Sequence, residues 1–241
     1  MSMPGFFVDD PDFRLPHPQI PLRLILVVHL ALTKAFELLR AQPPVGFVLS
    51  AAKEDEITLE VYRVLEDRFL DTGVVAGFDR RRFRNVVRAP EIPNYDGTHP
   101  AKKPDLVAFL MEREHLSVRP SQDALFAECK PVDDAHQIGR DYCDSGIQRF
   151  VNGEYAWAMQ EGMMIAYVRG GRTINTHLAP VLASGNRQAT LGTPRAPVVV
   201  SRGLGRGEPL QFTVHQRSFP WPGDYGKACE IQIFHSWHNC G

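Results

Sequence analysis

Three charged residues lie at the ends of two short apolar segments, and their types suit chemistry on a phosphate group. Asp105 opens the segment DLVAFLM, while Glu128 and Lys130 close the segment ALFAECK. Carboxylate oxygens are the ligands that Mg²⁺ prefers, and a lysine beside such a cation can orient or deprotonate a water, or stabilise charge on a phosphate. The sequence therefore predicts a site for Mg²⁺ or Mn²⁺ made by Asp105, Glu128 and the backbone carbonyl of Cys129, with Lys130 beside it.

The two apolar segments must pair for these residues to meet. Both are rich in strand formers and are bounded by prolines. An antiparallel hairpin with Met111 opposite Ala124 sets Asp105 opposite Lys130. Because side chains alternate between the faces of a strand and opposed residues share a face, Asp105, Glu128 and Lys130 then project from one side. That side is otherwise largely apolar, so the charges indicate either a functional site or a buried ion pair that only stabilises the sheet.

Pro104-Asp105 followed by Glu128-Cys129-Lys130 resembles the sequence pattern of the PD-(D/E)XK nucleases, the restriction-endonuclease-like superfamily. The resemblance implies an α/β fold, namely a mixed sheet with its carboxylates at one edge and helices on both faces, together with an added N-terminal helix. It also implies metal-dependent hydrolysis of phosphodiester bonds, with DNA favoured over RNA as the substrate, in restriction, repair or anti-phage defence. The alternatives are a catalytically silent nucleic-acid-binding or scaffold subunit of the same fold, and a ribonuclease.

A helix is predicted from Glu54 to Leu70, and its first turn is acidic. Acidic residues there interact favourably with the helix dipole, which is a sufficient structural reason for them. The superfamily, however, often supplies a further metal-site glutamate from the helix that precedes the strands. Glu56 flanks the apolar stripe of this helix and is therefore the predicted fourth catalytic residue, with Glu60 as the second choice.

Several basic or polar residues are candidates for contact with a nucleic-acid backbone. The segment Asp79 to Arg88 is rich in arginine and precedes the carboxylate hairpin, and two lysines stand directly before Asp105. A helix is predicted from Gly146 to Gln160, and the resemblance to the nuclease superfamily implies that this helix turns polar residues towards the metal and the substrate. The predicted contacts are Arg82, Arg84, Lys102, Lys103, Gln148 and Arg149, each with an ordinary surface role as the alternative. The aromatic side chains of Tyr155 and Trp157 are predicted to pack rather than to stack on bases.

Composition limits the remaining possibilities. The chain has 241 residues and a net charge of −1, so a nucleic acid has to be met by local basic patches. Four scattered cysteines favour reduced thiols and a cytoplasmic location, and no apolar run is long enough to span a bilayer. We expect an N-terminal extension over residues 1–45, whose helix Leu22 to Arg40 packs against the core or against another copy of the chain, and a nuclease-like domain over residues 46–241. A homodimer or a larger defence complex is the expected assembly. His29 is predicted to be a core residue with a partner, and the C-terminal Cys and His residues match no zinc module.

Overall fold

One mixed β-sheet organises the residues that the computed structural model describes, which are 14–111, 118–192, 195–201, 209–223 and 225–241. Its order is β1-β2-β3-β4-β7-β6-β5. The pairs β3–β4 and β4–β7 are parallel, and the remaining pairs are antiparallel. The strands are β1 Phe83–Arg88, β2 Leu106–Leu110, β3 Ala124–Val132, β4 Glu161–Val168, β5 Val198–Ser201, β6 Leu210–His215 and β7 Ile231–Asn239. The predicted α/β class with a mixed sheet is confirmed.

Helices connect the strands, and several of them contain wider π-helical turns. The segments are α1 Leu22–Ala41, α2 Glu54–Arg63, π1 Val64–Phe69, α3 Leu70–Thr72, π2 Ile138–Ile147, α4 Gln148–Val151, π3 Ile174–Leu178, α5 Ala179–Leu182 and α6 Gly185–Leu191. Within the described ranges, none of these helices combines the length and the apolar character needed to cross a membrane.

The sheet has helices on both of its faces, as predicted. Leu106, Leu125 and Ile165 project from one face, where they share an apolar space with Val28 and Leu32 of α1. On the other face lies the continuous helix π2–α4, which connects β3 to β4. There Phe150 packs against Gly162, and Gly146 packs against Met164 and the side-chain stem of Lys130. The π2–α4 helix therefore covers the face from which Glu128 and Lys130 project.

Helix α1 belongs to the same core as the sheet. Phe36 stacks on His238 of β7 at 4.4 Å between ring centroids, and His29 Nδ1 lies 2.8 Å from the hydroxyl of Ser236. His29 is thus a core histidine with a partner, as predicted. The apolar side of α1, which the sequence predicted to pack against the core or another copy of the chain, is buried within the chain.

The hairpin has a different register from the predicted one. Leu106 pairs with Ala127 and Phe109 with Ala124, so Asp105 falls opposite Glu128 rather than opposite Lys130. A slip of two residues preserves the face of every side chain, because the period of a strand is two. β3 also continues through Pro131 to Val132. Proline is tolerated there because its nitrogen points to the side on which β2 has already ended.

The helix after β3 begins earlier than predicted. The structure starts it at Ile138, within the stretch interpreted as a polar linker, and ends it at Val151 rather than at Gln160. The chain then turns sharply through two residues with positive φ, Gly153 at 72° and Ala156 at 51°. Glycine adopts a positive φ without strain, so the chain can leave the helix axis at Gly153, directly after the helix ends.

Candidate active site

The ammonium group of Lys130 lies among three carboxylates. Its Nζ atom is 3.0 Å from Glu128 Oε1, 3.0 Å from Glu54 Oε1 and 3.8 Å from Asp105 Oδ2. Asp105 immediately precedes β2, Glu128 and Lys130 are on β3, and Glu54 is the first residue of α2. The structure thus brings together the three residues predicted from the hairpin, at the beginning of β2 in the interior of the sheet.

A backbone contact fixes the position of Asp105. The amide N–H of Cys129 donates a 2.7 Å hydrogen bond to Asp105 Oδ2. β2 begins at the next residue, Leu106, so the aspartate side chain pairs with a backbone group of β3 that the β2 ladder leaves free. The group of Cys129 that contacts Asp105 is therefore its amide. A ligand role for the Cys129 carbonyl stays a prediction.

Glu128 forms the buried floor of the site. Its side chain is 1% exposed, and its Oε1 atom is 3.3 Å from Arg149 Nη1. The hydroxyl of Tyr155 donates a 2.9 Å hydrogen bond to the other oxygen, Oε2, and itself accepts a hydrogen bond from Arg149. The side chains of Asp105 and Glu54 are 23% and 32% exposed, so the site opens to solvent on their side.

Burial and neighbouring charges shift the protonation equilibria of the cluster. Burial, reinforced by Asp105, raises the pKa of Glu128 to about 7, although Lys130 and Arg149 oppose the rise. Burial also raises the pKa of Asp105 and of Glu54, against the lowering effect of Lys130. Burial alone would lower the pKa of Lys130, but its three carboxylate neighbours raise it. Lys130 therefore stays protonated at neutral pH and acts as a cation and hydrogen-bond donor.

The acidic residue that α2 contributes is Glu54, whereas the sequence had indicated Glu56. Glu56 is exposed and accepts a 2.8 Å hydrogen bond from the backbone N–H of Lys53, which caps the helix. Glu60, the second choice, forms a 2.6 Å ion pair with Arg63. Nothing in the sequence favoured Glu54 beyond its place in the same acidic first turn. Which residue of a helix reaches the sheet depends on how the helix docks, and the sequence pattern does not show this.

Arg149 is the predicted nucleic-acid contact that lies nearest the carboxylates. Gln148, its neighbour at the start of α4, is half-buried. Lys102 forms a 2.9 Å ion pair with Glu154, whose charge also acts on Arg149.

The other predicted basic contacts have partners within the chain. Lys103 pairs with Glu91 at 2.9 Å, and Arg82 pairs with Asp79 at 2.7 Å. Arg84 donates a 3.1 Å hydrogen bond to a backbone carbonyl and lies over the ring of Phe109. Exposed ion pairs of this kind contribute little to stability, so a phosphate can replace the carboxylate partner at small cost.

The C-terminal histidines are buried and have partners within the chain. His235 and His238 project from opposite faces of β7: His235 contacts Tyr142, and His238 contacts Ser236 and Phe36. Within the described ranges, no three His, Cys, Asp or Glu side chains are arranged to bind a metal by themselves.

His235 takes part in a hydrogen-bonded chain whose direction is determined. His215 Nδ1 is 2.9 Å from the carbonyl of Leu191 and must donate to it, so the Nε2 atom of the neutral ring accepts from Thr213. Thr213 in turn accepts from His235 Nε2 at 2.8 Å, which leaves His235 Nδ1 to accept from the Tyr142 hydroxyl at 2.9 Å. Burial lowers the pKa of His215 to about 4 and that of His235 to about 3, consistent with neutral rings.

The donor atoms of the carboxylate cluster suit a hard divalent cation. Mg²⁺ commonly keeps several waters and takes one or two carboxylates from the protein, so it does not require three protein ligands. Asp105 and Glu128 both lie within 4 Å of one cation, the Lys130 ammonium, which shows that their oxygens can face a common positive charge. If all side chains are ionised, the three carboxylates outnumber the two cations, Lys130 and Arg149. The oxygens of Asp105 and Glu128 are thus ligands of the kind that Mg²⁺ or Mn²⁺ prefers, and a metal role for them stays a prediction.

Comparison of the chain with protein-family models, with curated proteins and with solved structures returned no match.

Proposed function

We propose that this protein is a metal-dependent phosphodiesterase of nucleic acids, with a restriction-endonuclease-like fold, that acts on DNA in preference to RNA. The observation that carries the proposal is the convergence of Asp105, Glu128 and Lys130 at one point of a mixed sheet. The PD-(D/E)XK resemblance of these residues supports the same reading. Restriction, repair or anti-phage defence is the setting that this resemblance implies, and the scattered cysteines favour the cytoplasm.

Each residue of the site has a distinct task in the proposed reaction. Asp105 and Glu128 would hold Mg²⁺ or Mn²⁺, and Glu54 would add a direct or water-mediated contact. The bound metal would act as a Lewis acid on a phosphoryl oxygen and neutralise part of its charge. Because the pKa of Lys130 is raised, its ammonium would orient the attacking water and stabilise negative charge that develops on the phosphate, rather than remove a proton.

Basic side chains around the site would position the substrate backbone. Arg149 lies beside Glu128 and Lys102 pairs with Glu154, and phosphate oxygens accept bidentate or charge-assisted hydrogen bonds from such groups. Phosphate contacts fix the register of a nucleic acid without reading its sequence. We therefore propose backbone recognition by these residues and by Arg82, Arg84, Lys103 and Gln148.

The test is cleavage by the purified chain with and without Mg²⁺ or Mn²⁺. Supercoiled plasmid, linear duplex DNA and RNA serve as substrates, and Asp105→Asn and Glu128→Gln as the variants that remove metal ligands. Asp55→Asn is the matched control. Asp55 is adjacent to Glu54 in sequence, but its side chain is exposed and forms a long ion pair of 3.6 Å with Arg88. We expect metal-dependent cleavage by the wild type and by the control, and none by the two variants. Equal cleavage by Asp105→Asn and the wild type would refute the proposed site.

One observation favours the second candidate, a catalytically silent nucleic-acid-binding or scaffold subunit. Lys130 lies near all three carboxylates and Arg149 lies near Glu128, so two cations of the chain itself offset two of the three negative charges. In that case the wild type would bind DNA but would neither bind Mn²⁺ at this site nor cleave any of the three substrates.

A further inference from the structure

The two oxygens of the Glu128 carboxylate have different surroundings. Oε2 accepts a 2.9 Å hydrogen bond from the hydroxyl of Tyr155, while Oε1 faces Lys130 at 3.0 Å and Arg149 at 3.3 Å. Tyr155 is fully buried, and its hydroxyl also accepts a hydrogen bond from Arg149. Both hydrogen-bonding functions of that hydroxyl are therefore used, and one of them is directed at the floor of the site.

The turn that carries Tyr155 is held rigidly. Ala156 has a positive φ of 51°, a strained conformation for a residue with a Cβ. The buried guanidinium of Arg217 donates hydrogen bonds to the carbonyls of Ala156 at 3.2 Å and Trp157 at 3.3 Å. Trp221 donates a further 2.9 Å hydrogen bond to the carbonyl of Trp157. Fixed backbone on the C-terminal side of Tyr155 restricts where its hydroxyl can point.

Packing alone does not account for the hydroxyl. The ring of Tyr155 makes an edge-to-face contact with Phe150 at 5.5 Å, and phenylalanine would preserve that contact. The hydroxyl adds a hydrogen bond to the far oxygen of Glu128, which restricts rotation of the carboxylate. The other oxygen, Oε1, then faces the side of the site where Lys130 lies.

We propose that Tyr155 is a positioning residue, whose hydroxyl fixes the Glu128 carboxylate so that Oε1 is directed at the metal. The inference rests on the proposed function, because it takes the cation to be Mg²⁺ or Mn²⁺. Groups that orient metal ligands commonly change metal affinity by about 10- to 100-fold when they are removed.

The test compares Tyr155→Phe with Tyr142→Phe. Both residues are fully buried. Each hydroxyl accepts one hydrogen bond and donates another, but the described partners of the Tyr142 hydroxyl are Trp237 and His235 rather than a carboxylate. Titration calorimetry with Mn²⁺, without nucleic acid, measures the affinity and the number of sites per chain. We expect about 10- to 100-fold weaker Mn²⁺ binding for Tyr155→Phe at unchanged stoichiometry, and wild-type binding for Tyr142→Phe. Cleavage by Tyr155→Phe should then recover at saturating Mn²⁺.

The outcomes separate this inference from the proposed function. Mn²⁺ affinity equal to that of the wild type, or fewer sites of unchanged affinity, would overturn the positioning role, because poor folding lowers the number of sites and not the affinity of each. If the wild type binds Mn²⁺ but cleaves neither DNA nor RNA, and Tyr155→Phe binds it more weakly, the positioning role stands and phosphodiester hydrolysis does not. A wild type that binds no Mn²⁺ overturns both.

Discussion

Replacing Lys130 by methionine removes the ammonium that three carboxylates share and keeps most of the volume of the side chain. The largest effect should come through Glu128, because Glu128 is 1% exposed, whereas solvent screens the more exposed Glu54 and Asp105. We expect the free energy of unfolding of Lys130→Met to fall below that of the wild type at alkaline pH and to approach it near pH 6.

The sign follows from the pKa of Glu128, which burial raises from 4.5 to about 7 in the folded wild type. A carboxyl group whose pKa is higher in the folded than in the unfolded state loses its stabilising contribution as the pH rises through the folded pKa. Below about pH 7, Glu128 carries a proton in both proteins, so the missing ammonium matters little. Above about pH 7, Glu128 ionises in the wild type but keeps its proton to higher pH in the variant, because the variant lacks the nearest cation.

The magnitude is about 1.4 kcal/mol for each unit by which the substitution raises the folded pKa of Glu128. If that pKa moves from about 7 to about 9, the deficit is about 2.3 kcal/mol at pH 9 and approaches about 2.7 kcal/mol at higher pH, somewhat below the cost of breaking a fully buried ion pair. The hydroxyl of Tyr155 and the guanidinium of Arg149 still contact Glu128 in the variant. These contacts limit the expected rise in the pKa of Glu128.

Urea unfolding followed by tryptophan fluorescence at pH 6, 7, 8 and 9 measures this deficit, because all three tryptophans are buried. Lys103→Met is the control, since the Lys103–Glu91 pair is exposed on both sides and should show no pH-dependent deficit. A deficit of the same size at pH 6 and at pH 9 would refute the reasoning, because it would mean that Lys130 does not stabilise the ionised form of Glu128.

Three other predictions follow from the same geometry. Glu54→Gln should weaken Mn²⁺ binding measured by calorimetry, whereas Glu56→Gln should not. Weaker binding by Glu56→Gln alone would instead support Glu56, the residue predicted from the sequence. Burial lowers the pKa of His215 to about 4 and of His235 to about 3 from 6.5. The unfolded chain therefore takes up protons below about pH 6.5 that the folded chain excludes, and each ring should cost about 2 kcal/mol of stability at pH 5. His235→Gln should make stability less dependent on pH between 7 and 5, and an unchanged slope in urea titrations would contradict this. Gly162→Ala should destabilise the protein by about 1–3 kcal/mol in the same assay, because a Cβ there would lie 2.7 Å from the ring of the buried Phe150; wild-type stability would show that α4 can move away from the sheet.

The strand pair that carries the carboxylates could be predicted from the sequence because it depends on local properties. Strand propensity and flanking prolines define the two segments, and the period of two determines which side chains share a face. The predicted register was wrong by two residues, which moved Asp105 from opposite Lys130 to opposite Glu128 without changing the face. The residues that meet were therefore predicted correctly, while their exact pairing was not.

The choice among the acidic residues of α2 could not be made from the sequence. Glu54 and Glu56 lie in the same first turn and have the same chemistry. Capping occupies Glu56, and the docking of α2 brings Glu54 to Lys130. The role of the Tyr155 hydroxyl could not be predicted from the sequence either. An aromatic ring at this position suggested packing, and only the tertiary structure shows what the hydroxyl contacts.

By itself, the sequence determined that two carboxylates and a lysine would share one face of a β-hairpin, since strand periodicity acts between close neighbours and needs no knowledge of the rest of the chain. The tertiary structure decided what surrounds them: the Glu54 carboxylate from a helix, and Arg149 and Tyr155 from the segment that connects β3 to β4. Those contacts join residues far apart in the chain, so they depend on how the helices dock on the sheet, which local pattern does not encode.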